Sequence, residues 1–446
     1  MADRPRASLA EITAWRLWRQ LVGYRAAVVV VAAWGLALYV GRLAVLSPHV
    51  ATRAALLAAA ACLVVARPRW LALAVVPGVF LTRRVPGGSM SFSDGLLIAG
   101  CVVPFLVASW REPLFRRLFF IFAAYEVVLV TVVIAHPSGR AVVEWMHRFL
   151  LLGGTFAVGA YLTREGLARR ALRLFVLVTG FVAAAAIVYT LTRGLAPAYP
   201  FGLHKNYVGA VTAAALLLSF AIPQELRLGR RVVPPMQVLL LGGLLASQSR
   251  GAEFGLVAGA LVVVVLHRGL RWSRAVLVMG PLVFVLAALS VNAEFSASAH
   301  LDSSRARFES FQIRRTAGGE ALQLWRESPL VGQGLRSYLD QNSQLQTSPH
   351  NIVYEALVES GIVGLAAFFL LQGGAVLVLR RAGSNLALAA LALVVANLVH
   401  GLFDLYWVAG TLTLTWLVVG MAAGEAAHSS RSQSGPQLER LQAELS

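Results

Sequence analysis

The sequence contains few acidic residues and almost no lysine. Of its 446 residues, 21 are Asp or Glu and 39 are Lys or Arg, which gives a formal net charge of +18 at pH 7. Lys205 is the single lysine, so arginine supplies nearly all of the positive charge. No Asp-x-Asp or Glu-x-Asp pair occurs, although carboxylates are the ligands that hold Mg²⁺ on a phosphate group. A metal-bound diphosphate site is therefore not expected.

Signatures of nucleotide and metal binding are also absent. The chain has no Gly-x-x-x-x-Gly-Lys phosphate loop, which argues against the common ATP site. Its two cysteines, Cys62 and Cys101, lie in apolar runs, and no Cys or His cluster has the spacing of a zinc site. We therefore expect no cofactor, no metal ion, no ATP and no disulfide framework.

The composition is typical of a polytopic membrane protein. Hydrophobic residues make up 58% of the chain and charged residues 13%, against about 25% charged residues in soluble domains. About fourteen apolar segments follow one another, several of them shorter than the roughly 20 residues that cross a bilayer. Some could be broken or re-entrant, so we predict an all-α integral membrane protein with about 12–14 transmembrane helices. The arginines lie between these segments, which favours contact with anionic membrane lipids over binding of nucleic acid.

The arginine distribution predicts the topology. With the N-terminus in the cytoplasm, the cytoplasmic short loops hold about twice as many Arg and Lys residues as the opposite loops. Met1 to Gln20 is polar and arginine-rich, so no cleavable signal peptide is expected. We predict a cytoplasmic tail (1–23), a helical bundle (24–291), a periplasmic loop (292–349), further transmembrane helices (350–425) and a cytoplasmic tail (426–446).

The long loop is expected to be functional, because loops of this length are uncommon in compact domains. A short helix is predicted at Glu320–Arg326, followed by a turn at Ser328-Pro329-Leu330-Val331-Gly332-Gln333-Gly334. The loop then leads through Ser348 and Pro349 to His350, where an apolar helix begins. Ser348 is predicted to cap that helix, which would place His350 in its first turn.

A histidine in a first helical turn is expected to stay neutral, because the helix dipole disfavours a cation there. A neutral imidazole at a membrane surface suits a general base, which makes His350 the candidate base. Glu355 and Glu359 follow in the apolar helix. Ionisable groups inside such helices usually have a function.

Three further basic sites are predicted on the same outer face. Arg250 opens a helix within Ser247–Glu253, which favours a nearby anion; the alternative is that it reaches lipid phosphate. Lys205 and Asn206 lie in a polar segment that Arg193 precedes, and this segment could also be a plain interfacial loop. Arg148 lies inside an apolar segment and is expected to face a polar cavity.

The order of these motifs resembles that of the O-antigen ligase and polymerase superfamily. The motifs are Ser249-Arg250-Gly251, the 328–334 turn, and His350-Asn351 followed by Glu355, Glu359 and Gly361-Ile362-Val363-Gly364-Leu365. The resemblance is firmest over residues 200–380. It implies a glycosyltransferase with a GT-C-like helical fold in the bacterial inner membrane and a periplasmic active site. The donor would be an undecaprenyl-diphosphate-linked glycan. In the ligase branch the acceptor would be the lipid A–core of lipopolysaccharide.

The resemblance also assigns roles to individual residues. It maps the essential histidine onto His350 and the motif arginine onto Arg250, which we take as the catalytic pair. A second family arginine corresponds to Arg314 or Arg315, and Asn206 is a weaker match. The expected substrate-binding residues are Arg314, Arg315, Arg193, Lys205, Asn206, Arg148, Asn351 and Glu355.

Both lines of reasoning predict one mechanism. His350 deprotonates a sugar hydroxyl of the acceptor, and arginines stabilise the departing diphosphate, so a single displacement inverts the anomeric carbon. Three alternatives stay open: an O-antigen polymerase, a protein O-oligosaccharyltransferase and a polytopic lipid transporter. A transporter would be expected to show paired repeats, and none is evident.

Overall fold

The computed structural model describes residues 67–83, 91–107, 112–229, 231–266, 316–339, 348–408 and 410–425. The chain divides into two compact units, Met1–Leu71 and Ala72–Ser446. The described residues lie almost wholly in the second unit. Within them the regular structure is helical and no β-sheet is present. The predicted all-α polytopic membrane fold is confirmed.

The helices are numbered in chain order as α1 to α14. The first seven are α1 (Pro68–Gly78), α2 (Phe92–Leu106), α3 (Pro113–Ala135), α4 (Gly139–Phe149), α5 (Thr155–Arg164), α6 (Ala168–Thr192) and α7 (Lys205–Ala221). The others are α8 (Pro223–Leu226), α9 (Val233–Ser247), α10 (Arg250–Leu266), α11 (316–327), α12 (Ile352–Ala382), α13 (Asn385–Gly401) and α14 (Thr411–Glu425). A π-helical turn, Leu150–Gly154, joins α4 to α5.

Three of the described helices are long and apolar enough to cross a membrane: α3, α6 and α12. Five shorter apolar helices are α2, α7, α9, α13 and α14. The predicted apolar segments at 24–46, 52–66 and 274–291 lie outside the described residues, as do both predicted tails. The total number of spans therefore stays a prediction. Helix α11 confirms the predicted short helix at Glu320–Arg326.

Helix α10 packs closely on α13 through three glycines spaced four residues apart. A Cβ at Gly259 would lie 2.8 Å from the Ala392 carbonyl oxygen, and one at Gly255 would lie 2.6 Å from that of Ala396. Gly251 faces the ring of His400 at the end of α13. Because residues four apart share one helix face, this stripe lets the two backbones approach, as small residues do in membrane helix pairs. Packing therefore brings the start of α10 against the end of α13.

Helix α12 is broken at Gly361, and the predicted 328–334 turn fills the break. Gly361 has φ 62° and ψ −164°, a backbone conformation that is essentially restricted to glycine. The amide of Ile362 donates to the Pro329 carbonyl at 2.9 Å. In return, the amide of Gln333 donates to the Val358 carbonyl at 2.7 Å. The turn thus satisfies the backbone groups that the break exposes.

We expect Gly361→Ala to destabilise the fold. The new Cβ would meet the backbone of Leu330 and force a side chain into the glycine-only conformation, which costs about 1–3 kcal/mol before the clash is counted. Gly373→Ala in the same helix is the matched control, because no atom lies within 4 Å of its Cβ position. Thermal unfolding in detergent should show a lower midpoint for Gly361→Ala alone. Equal midpoints for the two variants would contradict this account of the break.

Candidate active site

His350 lies just before helix α12 and not in its first turn. Asn351 caps the helix, because its Oδ1 accepts hydrogen bonds from the amides of Val353 at 2.9 Å and Tyr354 at 3.3 Å. The prediction that Ser348 caps the helix is therefore wrong, since the helix begins three residues later than expected. His350 itself has φ 51°, an uncommon left-handed conformation for a residue with a side chain. His350 therefore lies outside the helical turn in which the sequence placed it.

A carboxylate pairs with His350 instead. Nδ1 of His350 lies 3.3 Å from Oδ1 of Asp404, just after the end of α13. Burial alone would raise the pKa of the Asp404 carboxyl, but its hydrogen bond with His350 and the proximity of His400 lower that pKa below its ordinary value. An ionised Asp404 favours the tautomer of His350 with the proton on Nδ1. Nε2 then carries the lone pair that a general base needs.

The Ser-Arg-Gly motif lies in the same corner of the molecule, where the start of α10, the start of α12 and the end of α13 come together. Arg250 begins α10 as predicted, and its side chain is exposed. A Cβ at Gly251 would lie 3.1 Å from both the ring of His400 and Cβ of Phe403. The end of α13 therefore packs directly against Gly251. Gly251 and His350 thus contact the 400–404 segment from the starts of α10 and α12 respectively.

Asn351 also links His350 to this corner. Its Nδ2 donates to the carbonyl oxygen of Leu402 at 2.9 Å. One amide side chain thus caps α12 and holds its start against the end of α13. This role needs no substrate, and the predicted contact of Asn351 with substrate stays a prediction.

The polar segment before α7 lies beside the Ser-Arg-Gly turn. A Cβ at Gly209 would lie 2.6 Å from Cβ of Ser249 and 2.8 Å from Oγ of Ser247. Asn206 is buried one turn earlier on the same helix, and Lys205 is its first residue. Substrate binding by Lys205 and Asn206 stays a prediction. That prediction requires the two residues to lie near the Ser-Arg-Gly motif, and the start of α7 does lie beside it.

Arg193 lies at the end of α6. Its guanidinium is exposed and lies 5.5 Å from the centre of the Tyr189 ring. The same end of α6 is tied to α9, since Oγ1 of Thr190 donates to the Ala246 carbonyl at 3.2 Å. Arg314 and Arg315 lie outside the described residues.

Arg148 is the centre of a buried ionic network. Its side chain is 2% exposed, and its Nε and Nη2 donate to Glu144 at 2.9 Å and Glu359 at 2.6 Å. Glu355 lies 3.7 Å away, and the centre of the Trp407 ring lies 4.4 Å from the guanidinium carbon. This geometry favours a role in holding α4, α12 and the 404–408 segment together. A direct contact of Arg148 or Glu355 with substrate stays a prediction.

A second arginine completes the network. Nε of Arg336 lies 3.0 Å from Glu144, and its backbone amide donates to Glu359 at 3.0 Å. Tyr338 donates its hydroxyl to Glu355 at 3.2 Å. Three carboxylates and two guanidinium groups thus fasten the segment after the 328–334 turn to α4 and α12. Glu359 is both a partner of Arg148 and the residue two before the Gly361 break.

Sequence reasoning missed the partners of the residues it selected. Asp404, Glu144, Arg336 and Tyr338 were not assigned to the site. One local signal was available: His400 and Asp404 are four residues apart at the end of an apolar segment, as are Glu144 and Arg148. In the described ranges, no group of three or more His, Cys, Asp or Glu side chains is arranged to hold a metal ion.

Comparison with known families agrees with the motifs. Residues 236–369 match the family model described as O-Antigen ligase. The matched stretch contains Arg250, the 328–334 turn and His350, whereas Asp404 lies beyond it. The match supports membership of the O-antigen ligase superfamily. No curated protein matches the chain.

Removal of Arg148 is expected to destabilise the protein in the absence of any substrate. Arg148→Gln would remove the guanidinium that pairs with Glu359 and leave Glu144 paired with Arg336 alone, and breaking a buried ion pair costs about 3–5 kcal/mol. The control is Arg169→Gln, because the Arg169 side chain is 51% exposed in its pair with Glu225 and exposed pairs contribute about 0–1 kcal/mol. Thermal unfolding of both purified variants tests this. A normally stable Arg148→Gln protein that has lost only substrate affinity would show that the arginine binds substrate.

Proposed function

Since residues 236–369 match the O-antigen ligase family, we propose that the chain transfers a glycan from undecaprenyl diphosphate to the lipid A–core of lipopolysaccharide. The observation that carries this proposal is the meeting of His350, Asp404 and the Arg250 motif at one corner, where the ends of α10, α12 and α13 come together. We place this corner at the periplasmic face of the bacterial inner membrane, in accord with the arginine bias.

The corner provides a base for a sugar hydroxyl. Nε2 of His350 accepts the proton as the hydroxyl oxygen bonds to the anomeric carbon of the donor glycan. Asp404 fixes the imidazole and stabilises the imidazolium that forms. The His350 side chain is 29% exposed, so a large acceptor can reach it, whereas the Asp404 side chain is 10% exposed. General-base catalysis of this kind contributes about 10²–10⁴ in rate.

The departing group is a diphosphate, and arginine suits it. The bond from the anomeric carbon to the diphosphate oxygen breaks, and both electrons leave with the undecaprenyl diphosphate. The guanidinium of Arg250 is planar, always charged and exposed at the start of α10, so it can bind two phosphate oxygens at once. Lys205 adds positive charge at the start of the neighbouring helix. No metal ion is needed to balance the developing charge.

The membrane contributes proximity. Both proposed substrates carry lipid anchors, so the membrane holds donor and acceptor at the depth of the site and reduces the entropy lost on meeting. The polar groups of the corner lie at helix ends. A transporter would more often place its charged groups at breaks in the middle of paired helices.

The first test compares a strain that lacks the gene with its parent. We expect the polysaccharide ladder on lipid A–core to disappear from a lipopolysaccharide gel while undecaprenyl-linked polymer accumulates. The gene for the His350→Ala variant should not restore the ladder, whereas the wild-type gene should. Loss of the polymer itself would identify a polymerase. An intact ladder with loss of a glycosylated protein would identify a protein O-oligosaccharyltransferase.

In a purified system with lipid-linked donor and acceptor, three substitutions should separate the roles. His350→Ala should lower kcat by about 10²–10⁴ and leave donor binding nearly unchanged, because the base acts on the acceptor. Asp404→Asn should also lower kcat, since the amide can favour the wrong tautomer of His350. Arg250→Ala should weaken donor binding and slow transfer, and Arg250→Lys should restore only part of each. Wild-type turnover by His350→Ala would rule out the proposed base.

A further inference from the structure

Each of the two carboxylate oxygens of Asp404 lies near a ring nitrogen of a different histidine. Oδ1 faces Nδ1 of His350 at 3.3 Å, and Oδ2 faces Nε2 of His400 at 3.7 Å. His400 lies in the last turn of α13, and its side chain is only 6% exposed. Its Nε2 is shielded from solvent and makes no hydrogen bond within the described part of the chain. The carboxylate of Asp404 is thus an acceptor within 4 Å of this nitrogen.

The surroundings of His400 fix where its ring can point. A Cβ at Gly251 would lie 3.1 Å from its Cδ2, and one at Gly255 would lie 3.5 Å from its Cβ, so α10 closes one side. A small cavity lies on another side, lined in part by Asn397, Thr411 and Thr415. These three side chains are uncharged. Burying an imidazole N–H without a partner costs free energy, which favours a hydrogen bond to the Asp404 oxygen that lies 3.7 Å away.

Few other charged groups lie near His350, Asp404 and His400. Helix α10 contributes Arg250 and Glu253 in its first turn, and α7 contributes Lys205 at its start. Helix α12 contributes no charged side chain between His350 and Glu355. Glu355 itself belongs to the Arg148 network. Within the described residues, the two histidines are the basic side chains that lie within 4 Å of the Asp404 carboxylate, which also accepts a hydrogen bond from the backbone of Leu405.

We propose that His400 is a positioning residue for the transfer reaction, which donates its Nε2–H to Asp404 and so orients the carboxylate that holds His350. The proposal rests on the proposed function and adds one residue to it. His400 touches neither substrate, so its contribution acts through Asp404. Because Gly251 packs on the same ring, the Ser-Arg-Gly motif also has a part in placing the base.

The alternative is that His400 only fills space between α10 and α13. Both roles predict that the fold suffers when the ring is removed. The two roles differ in what they predict for the pKa of Asp404. A donor that hydrogen-bonds a carboxylate lowers the pKa of that carboxylate, so removal of the His400 ring should raise the pKa of Asp404 if the hydrogen bond forms. A space-filling role leaves the titration of Asp404 unchanged.

The test uses the full-length protein in nanodiscs with three variants. His400→Phe keeps a ring against Gly251 and removes both nitrogens, and His400→Gln keeps an N–H donor. Asn397→Leu is the control, because it removes a buried polar group one turn earlier on α13 without touching Asp404. If His400→Phe does not fold, the smaller His400→Leu takes its place.

The direct readout is the side-chain carboxyl signal of Asp404 in protein labelled with ¹³C-aspartate. The chain has only five aspartates, so Asp404→Asn identifies the signal. In His400→Phe we expect the titration midpoint of Asp404 to rise by about one pH unit, which corresponds to a tenfold change in the equilibrium. His400→Gln should stay near the wild-type midpoint, and Asn397→Leu should match it. An unchanged midpoint in His400→Phe would overturn the proposal.

Kinetics provide the second readout. We expect His400→Phe to lower kcat about tenfold with an unchanged KM for the donor, and His400→Gln to recover most of the loss. Activity that needs an ionised Asp404 should also be lost at a higher pH on acidification in His400→Phe. A rise in donor KM with unchanged kcat would contradict a role through Asp404. If wild-type protein transfers no glycan, the proposed function fails, and the titration of Asp404 still decides the role of His400.

Discussion

The close packing of α10 against α13 is the constraint on which the candidate site depends. Gly251, Gly255 and Gly259 let the two helices approach until backbone carbonyls of α13 lie against α10. A larger residue at any of these positions would separate the helices. Arg250 is the first residue of α10, so this contact also decides how far it lies from His400 and Asp404. One packing interaction thus brings the start of α10 against the segment that carries Asp404, the partner of His350.

A buried charge network provides the second constraint, on the side of α12. Arg148 and Arg336 fasten α4 and the segment after the 328–334 turn to Glu355 and Glu359. A buried ion pair contributes little net stability, but its geometry is specific, because any misplaced member leaves a buried charge uncompensated. The network therefore fixes the position of α12, whose start carries His350. The 328–334 turn packs into the break at Gly361, two residues after Glu359 of this network.

The features predicted correctly from the sequence are those that depend on residues close together in the chain. The helical class, the start of α10 at Arg250, the turn at 328–334 and the short helix around Glu320 all follow from local composition and turn residues. The start of α12 was placed wrongly, because Ser348 and Asn351 are both good capping residues and only the contact of Asn351 with Leu402 decides between them. Local preferences do not contain that information.

The partners of the functional residues could not be predicted for the same reason. Asp404 is 54 residues from His350, and Glu359 is 211 residues from Arg148. Such pairs are set by the register between packed helices, which a single sequence does not reveal. The motifs therefore identified which side chains carry charge, whereas the packing identified which of them meet.

In the proposed mechanism, a hydroxyl deprotonated by His350 displaces undecaprenyl diphosphate in one step. The most direct measurement is the anomeric configuration of the new glycosidic bond. A purified enzyme would act on a donor of known configuration, and the product linkage would be determined by NMR. The account predicts an inverted anomeric centre. A retained centre would require a covalent glycosyl intermediate, and it would contradict the single displacement that we assign to His350.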